Sequence, residues 1–175
     1  MKVLVLGLMV ACRAMALGQQ AAVDPAEALG KLAFMQGEWA GKQDFNTGGA
    51  AMVGDATDRI APGIAGKYVC ETLSTTLPGR KPTDTRHFIS FDKATGKYTA
   101  WWFNDTSYHP MALTGDLAGN KLVLMSDGSA GPVLRATYDT PSANTLTFLL
   151  EMKTGDGWNR LFLTTYTKKA GDAKP

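Results

Sequence analysis

Cysteine and histidine are both scarce in this chain, with two of each among 175 residues. The cysteines are Cys12 and Cys70. Cys12 belongs to a leader described below, so Cys70 has no partner in the mature chain and an intramolecular disulfide is excluded. Cys70 lies in the strand-like run Lys67-Tyr68-Val69-Cys70-Glu71 and is expected to be a buried, inert thiol, since no base or cation stands nearby in sequence to activate it. The histidines, His87 and His109, show neither H-x-H nor H-x3-H spacing. Zinc catalysis draws on about three protein ligands, so no metal site is expected. His109 precedes Pro110 at a strand entrance and reads as a surface histidine. A G-x-S-x-G nucleophile elbow is also absent, as is any phosphate-binding motif. The acidic pairs Asp55/Asp58 and Asp44/Glu38 read as solvated carboxylates. The expectation is a protein without a cofactor that is not an enzyme.

The chain also lacks a long apolar run. Val3 to Cys12 is too short to span a bilayer, and no integral membrane span is expected. Lys2 ahead of that run, and the small residues Ala16-Leu17-Gly18 after it, predict a secretory signal peptide over 1–18, cleaved before Gln19. A second reading is a degenerate lipobox, Met9-Val10-Ala11 before Cys12, which makes Cys12 a lipidated N-terminus. The expected location is secreted or periplasmic, with lipid anchoring through Cys12 as the alternative. Cleavage removes Lys2 and Arg13 from the 18 basic residues and leaves 16 of each sign. A formally neutral chain lacks the Lys/Arg excess that nucleic acid or anionic membrane would require, so no nucleic-acid partner is expected. Lys168, Lys169 and Lys174 form a small basic patch interrupted by Asp172 and read as a polar tail.

What is present is β grammar. A tail over 19–24 leads to a helix from Pro25 to Met35, with Asp24 as N-cap and Pro25 at the first helical position. Ten strands follow at about 38–46, 51–60, 64–76, 84–92, 97–104, 109–117, 121–127, 132–139, 144–153 and 158–168, each boundary good to about 2–4 residues. Turn signals separate them, among them Thr47-Gly48-Gly49, Ala61-Pro62-Gly63, Ala94-Thr95-Gly96, Gly119-Asn120, Pro141-Ser142 and Asp156-Gly157. Short connections without intervening helices imply antiparallel neighbours. Closure removes the sheet edges, so the expected fold is all-β: an antiparallel up-and-down barrel of one domain over 25–168, with a C-terminal tail over 169–175.

The hairpin His87–Phe103 carries the most information. Pairing Asp92 with Lys97 sets Ile89 opposite Ala100, Phe88 opposite Trp101 and His87 opposite Trp102. One face then holds His87, Ile89, Phe91, Tyr98, Ala100 and Trp102, the other Arg86, Phe88, Ser90, Thr99, Trp101 and Phe103. Both are aromatic, and a one-residue slip would exchange them. Which face points inward stays open at this stage. Glu151 and Arg160 are candidates for a pair across the last hairpin.

Leu32, Gly37, Trp39 and Gly41 form an L-x4-G-x-W-x-G pattern that resembles the opening of the calycin-type barrels, the lipocalins and their relatives. The resemblance implies a barrel plug at Gly37 and Trp39: glycine lets the chain bend at the floor, and the indole fills one end. Thr95-Gly96-Lys97-Tyr98 leading to Trp101-Trp102-Phe103, then Leu113-Thr114-Gly115-Asp116, Leu122 and Arg135-Ala136-Thr137-Tyr138, resemble an uncharacterised family of secreted bacterial proteins, domain of unknown function 1579. That likeness covers about Leu29 to Lys168 and implies a lipocalin-like barrel but no activity. The nitrobindin-like haem barrels share the G-x-W-x-G opening and carry a haem-ligating histidine near the last strand. Here that strand reads Arg160-Leu161-Phe162-Leu163-Thr164, which argues against haem.

Two functional readings follow. In the first, the lumen binds a small, mainly apolar ligand, with Tyr98, Trp102, His87 and Arg135 in the wall, since apolar walls with a few polar groups suit small molecules. In the second, the barrel is filled, and its outer aromatic face docks a partner or a second copy as a homodimer. An enzyme on this scaffold would require an acid–base pair converging in the lumen.

Overall fold

The structure is a computed structural model that describes residues 23–46, 51–129 and 131–170. The leader, Cys12, the Thr47-Gly48-Gly49 turn and Lys174 lie outside the described residues. Asp24 caps the first helix, α1 (Pro25–Gly30), its side chain accepting from the Ala26 N–H at 2.7 Å. The expected single helix to Met35 divides here, because the chain tightens into a 3-10 segment over Lys31–Met35. That tightening turns Leu32 and Met35 both into the core.

Ten strands follow: β1 (Gly37–Phe45), β2 (Met52–Gly63), β3 (Tyr68–Thr76), β4 (Thr83–Asp92), β5 (Lys97–Asn104), β6 (Met111–Ala118), β7 (Lys121–Ser126), β8 (Leu134–Ser142), β9 (Thr145–Thr154) and β10 (Gly157–Lys168). Each pairs antiparallel with its sequence neighbour, and β1 pairs with β10 to close the barrel. The β4–β5 register is the expected one: Asp92 faces Lys97, and His87 faces Trp102. Burial decides the faces. His87, Ile89, Tyr98, Ala100 and Trp102 point into the lumen, and Phe103 is exposed on the outside.

Three turns differ from expectation. β2 runs through Ala61-Pro62-Gly63, and the reversal comes at Ile64 and Ala65, both with positive φ. β8 continues through Pro141-Ser142 after a register shift that follows Asp139. In the last hairpin the reversal uses Gly155 (φ 57) and Asp156, and Gly157 already belongs to β10. In each case the pairing of the flanking strands extends further than the local turn signal suggests.

The helical segment covers one end of the barrel. Trp39 is fully buried there, and its indole N–H donates to the Met35 carbonyl at 2.9 Å. The Tyr98 hydroxyl donates to the Ala28 carbonyl at 2.8 Å, tying β5 to the helix. Gly37 makes the turn into β1 with φ 141, where an added Cβ would meet Lys168 Cε at 2.7 Å. Leu32, Ile60, Ile89, Leu122 and Leu146 complete this packed half, each contributing about 1.5–3 kcal/mol by removal from water. Among the described residues, the opposite end, which carries the β3–β4 connection, has no helix over it.

Candidate functional site

A polar cluster crosses the middle of the lumen. Strand alternation turns Asp58 inward between Ala56 and Ile60, Glu71 between Val69 and Leu73, His87 before Ile89, and Tyr138 after Ala136. Glu71 and His87 are cross-strand partners. His87 Nδ1 donates to Glu71 Oε2 at 2.6 Å, and the Tyr138 hydroxyl donates to the same oxygen at 2.6 Å. Nδ1 and the Tyr138 oxygen are 3.0 Å apart. Trp102 stacks on the His87 ring with centroids 4.3 Å apart, and Phe148 stacks on Tyr138 at 4.5 Å. Asp58, Glu71 and His87 are between 1 and 3% exposed.

Burial works against the Glu71 carboxylate. The His87 charge, with hydrogen bonds from His87, Asp58 and Tyr138, nonetheless holds it below its usual range. Asp58 moves the other way: burial first, then the neighbouring Glu71 charge, raise it well above the ordinary value. The two carboxyls thus share one proton, held on Asp58. As a carboxylate, neither Asp58 oxygen would meet a donor; as an acid, Asp58 keeps its proton and donates a hydrogen bond to Glu71. Burial, followed by the nearby carboxyls (Glu71 first for Tyr138, Asp58 first for Tyr166), pushes both phenols up, so they stay neutral. Glu71 Oε1, His87 Nε2, Trp102 Nε1, Thr164 Oγ1 and the Tyr166 hydroxyl have no protein hydrogen-bond partner, although a buried orphan polar group costs about 1–3 kcal/mol.

Above this cluster, toward the uncovered end, lies a cavity of about 270 Å³. Phe45, Leu73, Leu77 and Phe162 form its apolar wall, with Gln43, Thr75, Thr83 and Thr85 as polar groups and Arg80 and Lys81 at the rim. Thr75 Oγ1 donates to Gln43 Oε1 at 2.6 Å, so this polar pair of the wall is satisfied. Leu73 and Thr85 are cross-strand partners in this wall. Each lies two residues along its strand from Glu71 and His87, one inward step of about 7 Å.

The structure therefore brings His87, Trp102 and Tyr98 to the inward face, but not to one place. His87 and Trp102 belong to the central cluster. Tyr98 is bound to the helix at the closed end, where burial raises its phenol. Arg135 is on the outer face, a correction to its expected place in the wall. It sits between inward-facing Leu134 and Ala136, pairs with Glu151 at 2.7 Å, and lies over the Trp158 ring at 4.2 Å. The expected Glu151–Arg160 pair is likewise replaced. Those residues are in register, but Arg160 reaches Asp44 at 3.0 Å instead.

Sequence reading missed Asp58 and Glu71. Asp58, read as a solvated carboxylate, shares the parity of Ala56 and Ile60, and Glu71 that of Val69 and Leu73, so strand alternation was the available signal. Cys70 points outward, and partial burial raises its thiol. Among the described residues, no group of three or more His, Cys, Asp or Glu side chains is arranged to hold a metal ion, and no helix is long and apolar enough to cross a membrane.

Two solved structures share the barrel. The crystal structure of Rv2717c from M. tuberculosis aligns with a TM-score of 0.63 and 15% identity, covering 83% of this chain and 99% of that one. The S-type phycobiliprotein lyase CPES from Guillardia theta aligns with a TM-score of 0.59 and 10% identity, covering 85% and 94%. At these identities the likeness is one of fold. No curated protein matches the sequence. Residues 24–169, the whole barrel with its helix, match the family described as Protein of unknown function (DUF1579), and the chain belongs to that family.

Proposed function

We propose that this barrel is a non-enzymatic carrier or sensor that binds a small, mainly apolar molecule in the outer half of its lumen. The carrying observation is the 270 Å³ cavity at the end opposite the helix, with apolar walls and a few fixed polar groups. Pockets for small molecules have this composition. The cluster beneath argues for binding rather than catalysis. Glu71 and His87 form an acid–histidine pair, but Nε2 meets no nucleophile, and neither residue lines the cavity. With the leader read over residues 1–18, the proposed setting is the periplasm or the medium.

Native mass spectrometry tests this on protein purified from its own source. The expected result is an added mass that denaturation releases and that Leu73→Trp, which fills the cavity, abolishes. A bare chain mass for the unsubstituted protein contradicts the reading.

One observation favours a second reading, the interaction module. Ile64, Tyr68, Phe88, Trp101 and Phe103 form a shallow aromatic hollow on the outside of β3–β5, a surface suited to a partner or a second copy.

A further inference from the structure

We infer that the lumen ligand is an amphipathic monoanion, an apolar body carrying one carboxylate, bound with its tail inward and its head at Arg80 and Lys81. This deepens the lumen-binding reading and rests on it.

Three observations converge. The first is the rim. Arg80 and Lys81 are consecutive residues of the β3–β4 connection, and both line the cavity. Among the described residues that line the cavity, they are the charged ones, and no carboxylate lies beside them there. Among the described residues neither joins an ion pair. Two unpaired cations over an apolar well fit an anion whose remainder is hydrocarbon. Their aliphatic stems extend the wall, and their heads remain in water.

The second observation is the floor. The Gln43–Thr75 pair belongs to the wall with its hydrogen bond already made. Leu73 and Thr85 line the cavity one inward step deeper, and one further step beneath them stands Glu71, which the cluster keeps ionised. A carboxylate entering head-first would leave water and move toward that like charge. Tail-first entry places hydrocarbon against Leu73, Leu77 and Phe162 and leaves the charge at the rim.

The third is size. A cavity of about 270 Å³ suits a short hydrocarbon body such as that of an eight-carbon acid whose head group stays at the rim.

The probes are sodium octanoate and 1-octanol, which share chain length and differ in charge. Calorimetric titration at low ionic strength is expected to show octanoate binding about three- to tenfold more tightly, the range for two exposed ion pairs. In 1 M NaCl, where the screening length falls to about 3 Å, that preference is expected to vanish while octanol affinity is maintained. The Arg80→Ser/Lys81→Ser variant is expected to lose the same preference and to keep octanol affinity within twofold, which also shows that it is folded. Equal affinities for the two probes in the unsubstituted protein overturn the anion inference and leave the cavity reading intact. A preference that survives both salt and the double substitution overturns it as well, by placing the head group elsewhere. Failure of both probes to bind overturns the cavity reading itself.

Discussion

Asp58 shows how much one buried side chain can set. Its acid form is the one the folded protein holds, because burial and the Glu71 charge oppose ionisation. The linkage follows. In the unfolded chain Asp58 ionises near pH 3.8, and above that value the folded state binds the extra proton. Stability from this group is therefore full below the unfolded pKa and falls as pH rises toward the raised folded value, by up to about 1.4 kcal/mol per pH unit. Glu71 has the opposite sign. Its folded value lies below 4.5, so its contribution is present above that pH and is lost on acidification. Asp58→Asn keeps the shape of the neutral acid but cannot ionise. Its stability relative to the parent is expected to increase from pH 5 upward, as measured by urea unfolding at several pH values. A difference independent of pH would mean that Asp58 is ionised in the folded protein. In sequence this residue reads as a solvated carboxylate. Alternation along 51–60 carries a signal for the inward face, but a carboxylate in the lumen is reasonable only once Glu71, His87 and Tyr138 are seen around it, and the contacts among those three span 16 to 67 residues.

Among the elements, strands were more legible than their ends. The 97–104 strand and its register against 84–92 follow from hydrophobic alternation and one tight turn, and the structure has both. The β2–β3 reversal was not legible. Pro62 and Gly63 look like turn residues, yet both pair with β3, and the left-handed positions fall to Ile64 and Ala65. Arg135 was misplaced for another reason. The sequence reading makes it a polar group of the wall with no face assigned, whereas alternation with Leu134 and Ala136 turns it outward, and its ion pair with Glu151 comes from the neighbouring strand β9, which local reading does not reach. Gly41 gives the clearest prediction at this scale. It pairs with Tyr166 across β1–β10, the seam that closes the barrel. A Cβ there would lie 2.0 Å from the Thr165 carbonyl oxygen and 2.8 Å from the Tyr166 Cα, both backbone atoms that cannot swing away. Gly41→Ala is expected to cost more than about 3 kcal/mol, lowering the urea midpoint or preventing folding. A midpoint unchanged within error would show that the seam yields more easily than this packing allows.

In the whole molecule the two halves of the lumen divide the work. The half under the helix is filled by Trp39, Ile60, Leu122 and Leu146, and the polar cluster lies above it. Among the described residues, the lumen cavity lies in the outer half, framed by β1, β3, β4, β10 and the β3–β4 connection. The closed barrel and its plug were legible from the hairpin series and the G-x-W opening. Which half would be hollow was not, because it depends on side chains from four strands meeting across the lumen. The competing reading places function on the outer hollow of Tyr68, Phe88, Trp101 and Phe103 instead. Amide chemical-shift mapping during a 1-octanol titration separates the two most directly. Binding in the lumen predicts saturable shifts at Leu73, Leu77, Thr83 and Phe162, with Tyr68, Phe88 and Phe103 unmoved. Shifts confined to the outer aromatic residues, or none at all, would contradict it.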